Sequence, residues 1–518
     1  MDGYQMKKGD NGGSIVNSIK MGANPNNTIF YEKKIVNNSI LQRSQFTHLF
    51  ERDQVFCFFH TLTQQMIFGD KIVNDLFTTF SKATPVQNVI ENYSKKYSTE
   101  SITQIILDLL KNGLIFEDTA KDVKLYKNLY LKALNQYQIQ HMYLLPTNAC
   151  NFRCKYCFIE DEDRYQTPIF MDMITAENAI ISFAQLCQKS QKNNITFYGG
   201  EPLLNPKVTF FSLRLIRQLE NEGKFANKVQ VSLLTNGSLV DQEAISVFKE
   251  TKPSISVSID GPQILHDSAR IDEWGDGTYH AAIRGYRRLQ DAGLKPGISC
   301  TLNAFTIKHI DEIVDFIIDE IKPQGLGFNI LLPQIKGLTP CSDLDYEFAS
   351  LQLIKAFKRL REAGIYEDRV MRRVRPYISQ YFHFKDCMGV GGQIVISPSG
   401  RFGPCQALLG IDDQKYFPHY INHFASEYQQ LTSEIIYKDP LFFEWCHRFP
   451  LNMSECINCQ AISVCGGGCP YASMVTDGSI WEIDKRVCFQ AKNILEWMIW
   501  DTYEHMNSEV KNIYGYEL

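Results

Sequence analysis

The sequence predicts an α/β protein: an open barrel of six parallel strand-helix units, preceded by a small mixed domain and followed by a cysteine-rich one. Three observations predict it. β-branched runs alternate with helical stretches through the middle of the chain, an aromatic and then helical segment comes before them, and cysteines crowd the C-terminal part. At 518 residues, 44% of them apolar, the chain can bury a sizeable core in about two to four domains. Net charge is -5 and no Lys/Arg block stands out, so no nucleic acid partner is expected. No window approaches the roughly 20 apolar residues that span a bilayer, so no membrane association is expected and the cytoplasm is the expected location.

Residues 1–44 are rich in Asn, Gly and Ser and lack the apolar core of a signal peptide, which predicts a disordered or extended tail. Residues 45–125 hold an aromatic run, QVFCFFH, a second short run, QQMIFG, and then three helical stretches. The last places Ile102, Ile105, Ile106, Leu109 and Leu110 on one face, Gly113 stops it, and LIFED reads as a wing strand. This order describes a small winged-helix unit. A linker of about a dozen residues rich in Lys and Asp follows.

Over residues 136–360 the runs HMYLLPT, NITFYGG, VQVSLLTNG, PSISVSIDG, KPGISCTLN and GLGFNILLP are each followed by a helical stretch. Each crossover must return the chain to the same end, so the strands are parallel and the chemistry belongs beyond their C-terminal ends. Across residues 380–518 Gly, Pro and Cys take over, which predicts a domain held by metal ligands more than by a large core. Fifteen cysteines at short spacings suit metal better than cross-links in a reducing compartment.

Immediately after the first run come Cys150, Cys154 and Cys157, spaced to wrap one face of an iron–sulfur cubane. Three thiolates on four irons leave one iron open to a cofactor. Zinc would want a fourth Cys or His nearby, and none follows in the loop.

This CxxxCxxC loop, with Tyr156 before its third cysteine, resembles the radical S-adenosylmethionine superfamily, over about residues 140–345. The resemblance implies a partial (β/α)6 TIM-like barrel, in which S-adenosylmethionine chelates the open iron and is cleaved to a radical that abstracts a substrate hydrogen. Gly199, Gly200, Glu201 and Pro202 match the family's GGEP motif, whose backbone and acid receive the methionyl ammonium. Thr235, Asn236 and Gly237 end the next strand. By the same resemblance Ser258, Arg270 and Asn303 are ribose and carboxylate contacts, although each residue type is also an ordinary cap or turn former.

Cys387, Cys405, Cys456, Cys459, Cys465, Cys469 and Cys488 are similar in spacing to the SPASM extension, which carries two auxiliary four-iron clusters. That resemblance assigns Cys456, Cys459, Cys465 and Cys488 to the outer cluster and Cys387, Cys405 and Cys469 to the inner one, for three [4Fe-4S] clusters in all. A pair of zinc ribbons is the other reading of such spacings. The fourth inner ligand is left open between Cys446 and an unligated iron. Cys57, Cys187, Cys300 and Cys341 stand alone and read as inert thiols.

The N-terminal unit resembles the leader-recognition (RRE-like) domain of ribosomal peptide (RiPP) maturases, related to the small peptide chaperone of pyrroloquinoline quinone biosynthesis. It implies that a precursor's leader adds as a strand near residues 54–69, with the helix at 99–112 lining the groove. A DNA-binding unit or a stabilising cap remains the alternative, and the absence of a strongly basic face speaks against the first. Together the parts imply a maturase that forms a thioether or carbon–carbon crosslink in a precursor peptide, with flavodoxin or ferredoxin as external electron donor. The alternatives are an anaerobic sulfatase-maturating, formylglycine-generating enzyme, whose usual acid after the second auxiliary cysteine is here Gln406, and a non-catalytic metal-binding scaffold.

Overall fold

The computed structural model describes residues 39–135, 137–159, 167–334, 344–409, 411, 413–421 and 432–505. Residues 1–38 of the tail predicted for residues 1–44, and the thiol of Cys341, lie outside them. The first described elements are the strands β1 (Ile40–Arg43), β2 (Thr47–Arg52), β3 (Val55–His60) and β4 (Met66–Gly69). Helices Lys71–Thr79, Val86–Tyr93 and Thr99–Lys111 follow, with β5 (Thr84–Pro85) after the first and β6 (Ile115–Phe116) after the last. β1 corrects the predicted tail over residues 40–43: Leu41 is buried, and β1 pairs antiparallel with both β5 and β6.

β2, β3 and β4 form an antiparallel meander whose two faces belong to different cores. Phe56, Phe58 and Ile67 pack on Ile72, Leu76, Ile102, Ile106 and Leu109 of the helices, whereas Phe50, Cys57, Phe59, Met66 and Phe68 join the core of the barrel. Alternate side chains of a strand point to opposite faces, so an aromatic run buried throughout is what two apolar faces require.

The predicted linker is a helix, Ala120–Leu134. Its lysines occupy one face, while Tyr126, Tyr130 and Ala133 pack with Phe46 and Phe449 on the other. Asp122, buried, pins its start by accepting hydrogen bonds from Ser44 Oγ (2.9 Å) and the Gln45 N–H (2.9 Å).

All six runs form parallel strands in chain order: β7 (His141–Leu144), β8 (Asn193–Phe197), β9 (Val229–Thr235), β10 (Ser254–Ser258), β11 (Gly297–Leu302) and β12 (Gly325–Ile330). β13 (Tyr366–Glu367) extends the far edge. On the near edge the cysteine-rich region adds β14 (Gln393–Ile396), parallel to β7, then the antiparallel β15 (Arg401–Gly403) and β16 (His419–Tyr420). The C-terminal region therefore depends on the common core more than its composition suggests. Ala491, Ile494, Leu495, Met498 and Ile499 of its long helix share one cluster with the barrel strands, because an apolar stripe on a helix must find a partner surface. Among the described residues, no helix is long and apolar enough to cross a membrane.

Candidate active site

Residues 150–157 leave the C-terminal end of β7 as a loop whose shape depends on the turn after β8. The Gly200 N–H donates to Thr147 O at 3.0 Å and the Glu201 N–H to Ala149 O at 2.7 Å. A Cβ on Gly200 would lie 1.8 Å from Ala149 O, and one on Gly199, at φ +123°, 2.7 Å from Thr147 O. The two glycines thus admit the protein's own backbone, a nearer cause than the cofactor approach inferred from the motif.

Glu201 is buried and joins the turn after β8 to the end of β9: its carboxylate accepts from the Leu203 N–H (3.0 Å), Thr235 Oγ1 (2.8 Å) and the Asn236 N–H (2.7 Å). Burial pushes its pKa up to about 7 against the pull of those donors. Asn236 Nδ2 in turn donates to Asn151 Oδ1 at 2.8 Å, tying β9 to the cysteine loop.

Tyr156 and Arg270 meet on Asp260, which composition had not singled out. Tyr156 donates to Asp260 Oδ2, Arg270 Nε donates to the same oxygen at 2.8 Å, and the Thr301 N–H donates to Oδ1 at 2.8 Å. Burial works against the charge on Arg270, and Asp260 with Tyr156 and Cys154 outweighs it, holding the guanidinium above its usual pKa range. Arg270 Nη1 is 3.9 Å from Cys154 Sγ. Burial pushes the thiols up, Cys150 to about 12 and Cys154 to about 11, so iron bound here would supply the positive charge that such thiolates need.

Cys150, Cys154 and Cys157 line a cavity of about 390 Å³. Tyr156, Gly199, Gly200, Glu201, Ser258 and Arg270 line it too, as do Ser299, Thr301 and Asn329, which the motifs did not indicate. Asn303 lies outside this lining, and its Oδ1 takes the turn-capping role open to this residue type, accepting from the N–H groups of Phe305 and Thr306 at 2.9 Å.

The cavity runs on to the C-terminal region, where Cys469, Gln406, Arg486 and Gln490 complete its wall. Cys469 lies within electrostatic reach of Cys387 and Cys405, which also influence one another. Cys456, Cys459, Cys465 and Cys488 line a separate, smaller cavity with Gly467 and Gly468. Both thiol sets suit iron–sulfur ligation by their chemistry. Cys446 faces elsewhere, against Lys385, Tyr137 and Tyr437, and a Cβ on Gly391 would lie 2.8 Å from its sulfur. Cys57, Cys187 and Cys300 are buried and stand apart from both sets. Among the described residues no three His, Cys, Asp or Glu side chains converge as the ligands of a single metal ion.

Residues 144–317 match the radical SAM superfamily. The chain carries a radical SAM domain over these residues. It is 23% identical over 512 residues to the radical SAM cyclopropyl synthase TigE of Paramaledivibacter caminithermalis, covering 93% of this chain and 99% of that one. It is 28% identical over 336 residues to the cysteine-type anaerobic sulfatase-maturating enzyme of Clostridium perfringens, covering 62% of this chain and 86% of that one. In fold, the chain is similar to native anSMEcpe with bound AdoMet, with a TM-score of 0.57 and 20% identity over 71% of this chain and all of the other. Streptococcus suis SuiB bound to its precursor peptide SuiA aligns at a TM-score of 0.50 and 16% identity, over 87% of this chain and 100% of that one.

Behind the radical SAM domain, Arg448 is the residue that sequence reasoning missed most completely. It is fully buried and donates to Gly467 O (2.7 Å), Ser473 Oγ (2.9 Å), Glu482 O (3.0 Å) and Ile480 O. One guanidinium thereby ties together the segments that carry Cys465, Cys469 and Cys488. Nothing in the spacing of a lone arginine could have announced it.

Proposed function

We propose that the chain is a peptide maturase, in which Cys150, Cys154 and Cys157 hold one four-iron cluster and the C-terminal cysteines hold two. The observation that carries this reading is the single cavity shared by the barrel thiols and Cys469. A substrate residue there lies between two redox sites.

When bound, the barrel cluster with S-adenosylmethionine supplies a carbon radical that takes one substrate hydrogen, and the auxiliary clusters supply an acceptor for the second electron. The chain's own residues bind and orient. Arg270, held by Asp260, offers a fixed cation beside Cys154; Ser258 and Tyr156 line the space for the cofactor; Glu201 keeps the cysteine loop and β9 in register. Cys387, Cys405 and Cys469 would hold the inner cluster. The orientation of Cys446 toward Lys385 and the two tyrosines favours an inner cluster with one iron unligated by protein. Cys456, Cys459, Cys465 and Cys488 would hold the outer cluster.

The substrate is a ribosomally made precursor peptide, its leader added as a strand to the meander β2–β4 and its electrons supplied by a flavodoxin or ferredoxin. Support comes from SuiB, whose structure holds its precursor peptide, and from TigE, which is matched almost end to end and whose name describes carbon–carbon bond formation. That end-to-end likeness favours a carbon–carbon bond over a thioether. Sulfatase maturation is the second reading, favoured by the fold likeness to anSMEcpe; Gln406, which cannot act as a base, stands against it.

Coexpression with the precursor encoded beside this chain, followed by mass spectrometry, tests the reading. A crosslinked or cyclised product has lost two hydrogens and does not react with a hydrazide. A product that the hydrazide labels is an aldehyde and supports sulfatase-type maturation instead. Protein that purifies colourless with zinc, and forms no deoxyadenosine under reductant, removes the enzymatic reading altogether.

A further inference from the structure

The cavity carries more positive side chains than the proposed cofactors explain. Besides Arg270, its wall includes Arg369, Arg372 and Arg373 from the helix Asp368–Ile378, and Arg486 from the long C-terminal helix. Arg373 and Arg486 each have a carboxylate of their own, Asp386 at 2.6 Å and Asp484 at 2.8 Å. Arg372 and Arg369 share one. Asp368 Oδ2 is 2.9 Å from Arg372 Nε but 3.6 Å from Arg369 Nη1, beyond hydrogen-bonding range.

Of the two other acids that act on Arg369, neither hydrogen-bonds its guanidinium: Asp386 is held by Arg373, and Glu367 is turned to backbone donors. Glu367 is buried, and its carboxylate accepts from the N–H groups of Phe328 (3.0 Å), Arg369 (3.0 Å) and Val370 (2.7 Å). Arg369 Nε instead donates to Asn329 Oδ1 at 2.9 Å, a neutral acceptor. Burial first, and repulsion by Arg372 second, hold the pKa of Arg369 below its usual range, the mark of an under-compensated cation. About a third of each side chain nevertheless stays open, 32% for Arg369 and 39% for Arg372. Tyr198 lies within electrostatic reach of both Cys157 and Arg369, so the arginines share the chamber of the cysteine loop. Gln406 adds an unfilled acceptor to the same wall, its Oε1 buried with no hydrogen-bond partner.

The geometry points to a carboxylate-binding subsite on Arg369 and Arg372: the peptide that enters this cavity presents a carboxylate, from an Asp or Glu side chain or from its own C-terminus, to the two guanidiniums. Guanidinium groups match a carboxylate's two oxygens, and their partial burial makes the interaction stronger than at a fully exposed surface. The inference rests on the peptide-maturase reading only for the ligand being a peptide.

The test uses the full chain, reconstituted anaerobically and saturated with S-adenosylmethionine, in equilibrium dialysis against three labelled probes. Acetyl-Gly-Asp-Gly-amide carries a side-chain carboxylate, acetyl-Gly-Gly-Gly a C-terminal one, and acetyl-Gly-Asn-Gly-amide none. At least one carboxylate probe should bind about tenfold tighter than the neutral one, which identifies the source of the carboxylate. Arg369→Gln should abolish the preference, and Arg369→Lys should keep part of it. Equal binding of the three probes, or a preference unchanged in Arg369→Gln, overturns the subsite. So does loss of S-adenosylmethionine binding in that variant with the peptide preference intact, which would give the arginine to the cofactor. Deoxyadenosine formation is scored separately in the wild type: its absence would remove the proposed reaction while leaving the peptide preference measurable.

Discussion

Gly200 has no room for a side chain, since the missing Cβ would sit 1.8 Å from Ala149 O. Gly200→Ala must push the cysteine loop away from the turn after β8. The variant should lose iron from the barrel site and most deoxyadenosine formation, at a stability cost of about 1–3 kcal/mol, read by iron analysis and thermal melts. Asp260 makes the opposite kind of contribution, compensating charge instead of leaving space. Asp260→Asn leaves Arg270 buried without a counter-charge, which should cost about 3–5 kcal/mol and loosen Tyr156. A melting temperature within a degree of wild type would show that the ion pair is dispensable. The motifs exposed one of these residues and not the other: glycines in a strand-exit turn stand out in a sequence, whereas an aspartate two residues past Ser258 acquires meaning only when Arg270 folds back onto it.

At the scale of elements, the six barrel strands were legible because each run is apolar, β-branched and closed by a turn. Helix Ala120–Leu134 was not, since its apolar face of Leu125, Tyr126, Leu129, Tyr130, Ala133 and Leu134 is interleaved with lysines that give the segment the composition of a linker. β14 was missed for a related reason: four buried residues among glycines carry too short a pattern to register. The short segments around Cys465, Cys469 and Cys488 cannot hold themselves, and Arg448 does it for them. Arg448→Met should therefore release the C-terminal clusters while sparing the barrel site, lowering iron from about twelve per chain to about four. Iron retained in full would assign the loop geometry to backbone contacts alone.

For the whole molecule, the N-terminal meander, the barrel and the C-terminal helix share one apolar core, so the three regions should unfold together. Changing Cys150, Cys154 and Cys157 together to Ala should abolish deoxyadenosine formation and remove about four of about twelve irons, leaving the auxiliary absorption. Persistent cleavage of S-adenosylmethionine in that variant would contradict the assignment. The meander buries both faces, so the leader docking proposed above would have to use a lateral edge.

Strand periodicity by itself determined the barrel and the end at which the chemistry belongs, because side-chain alternation is a local property of a chain, while the cysteine intervals carried the resemblance from which the thiol sets are proposed. Only the tertiary structure decided that Asn303 caps a turn, that Cys446 faces away from the other thiols, that Asp260 and Arg448 hold the site, and that Arg369 hydrogen-bonds a neutral amide and not a carboxylate. Those outcomes depend on which groups residues tens to hundreds of positions apart bring into contact, and whether a buried charge or polar atom is satisfied is a property of that enclosure and not of the residue type.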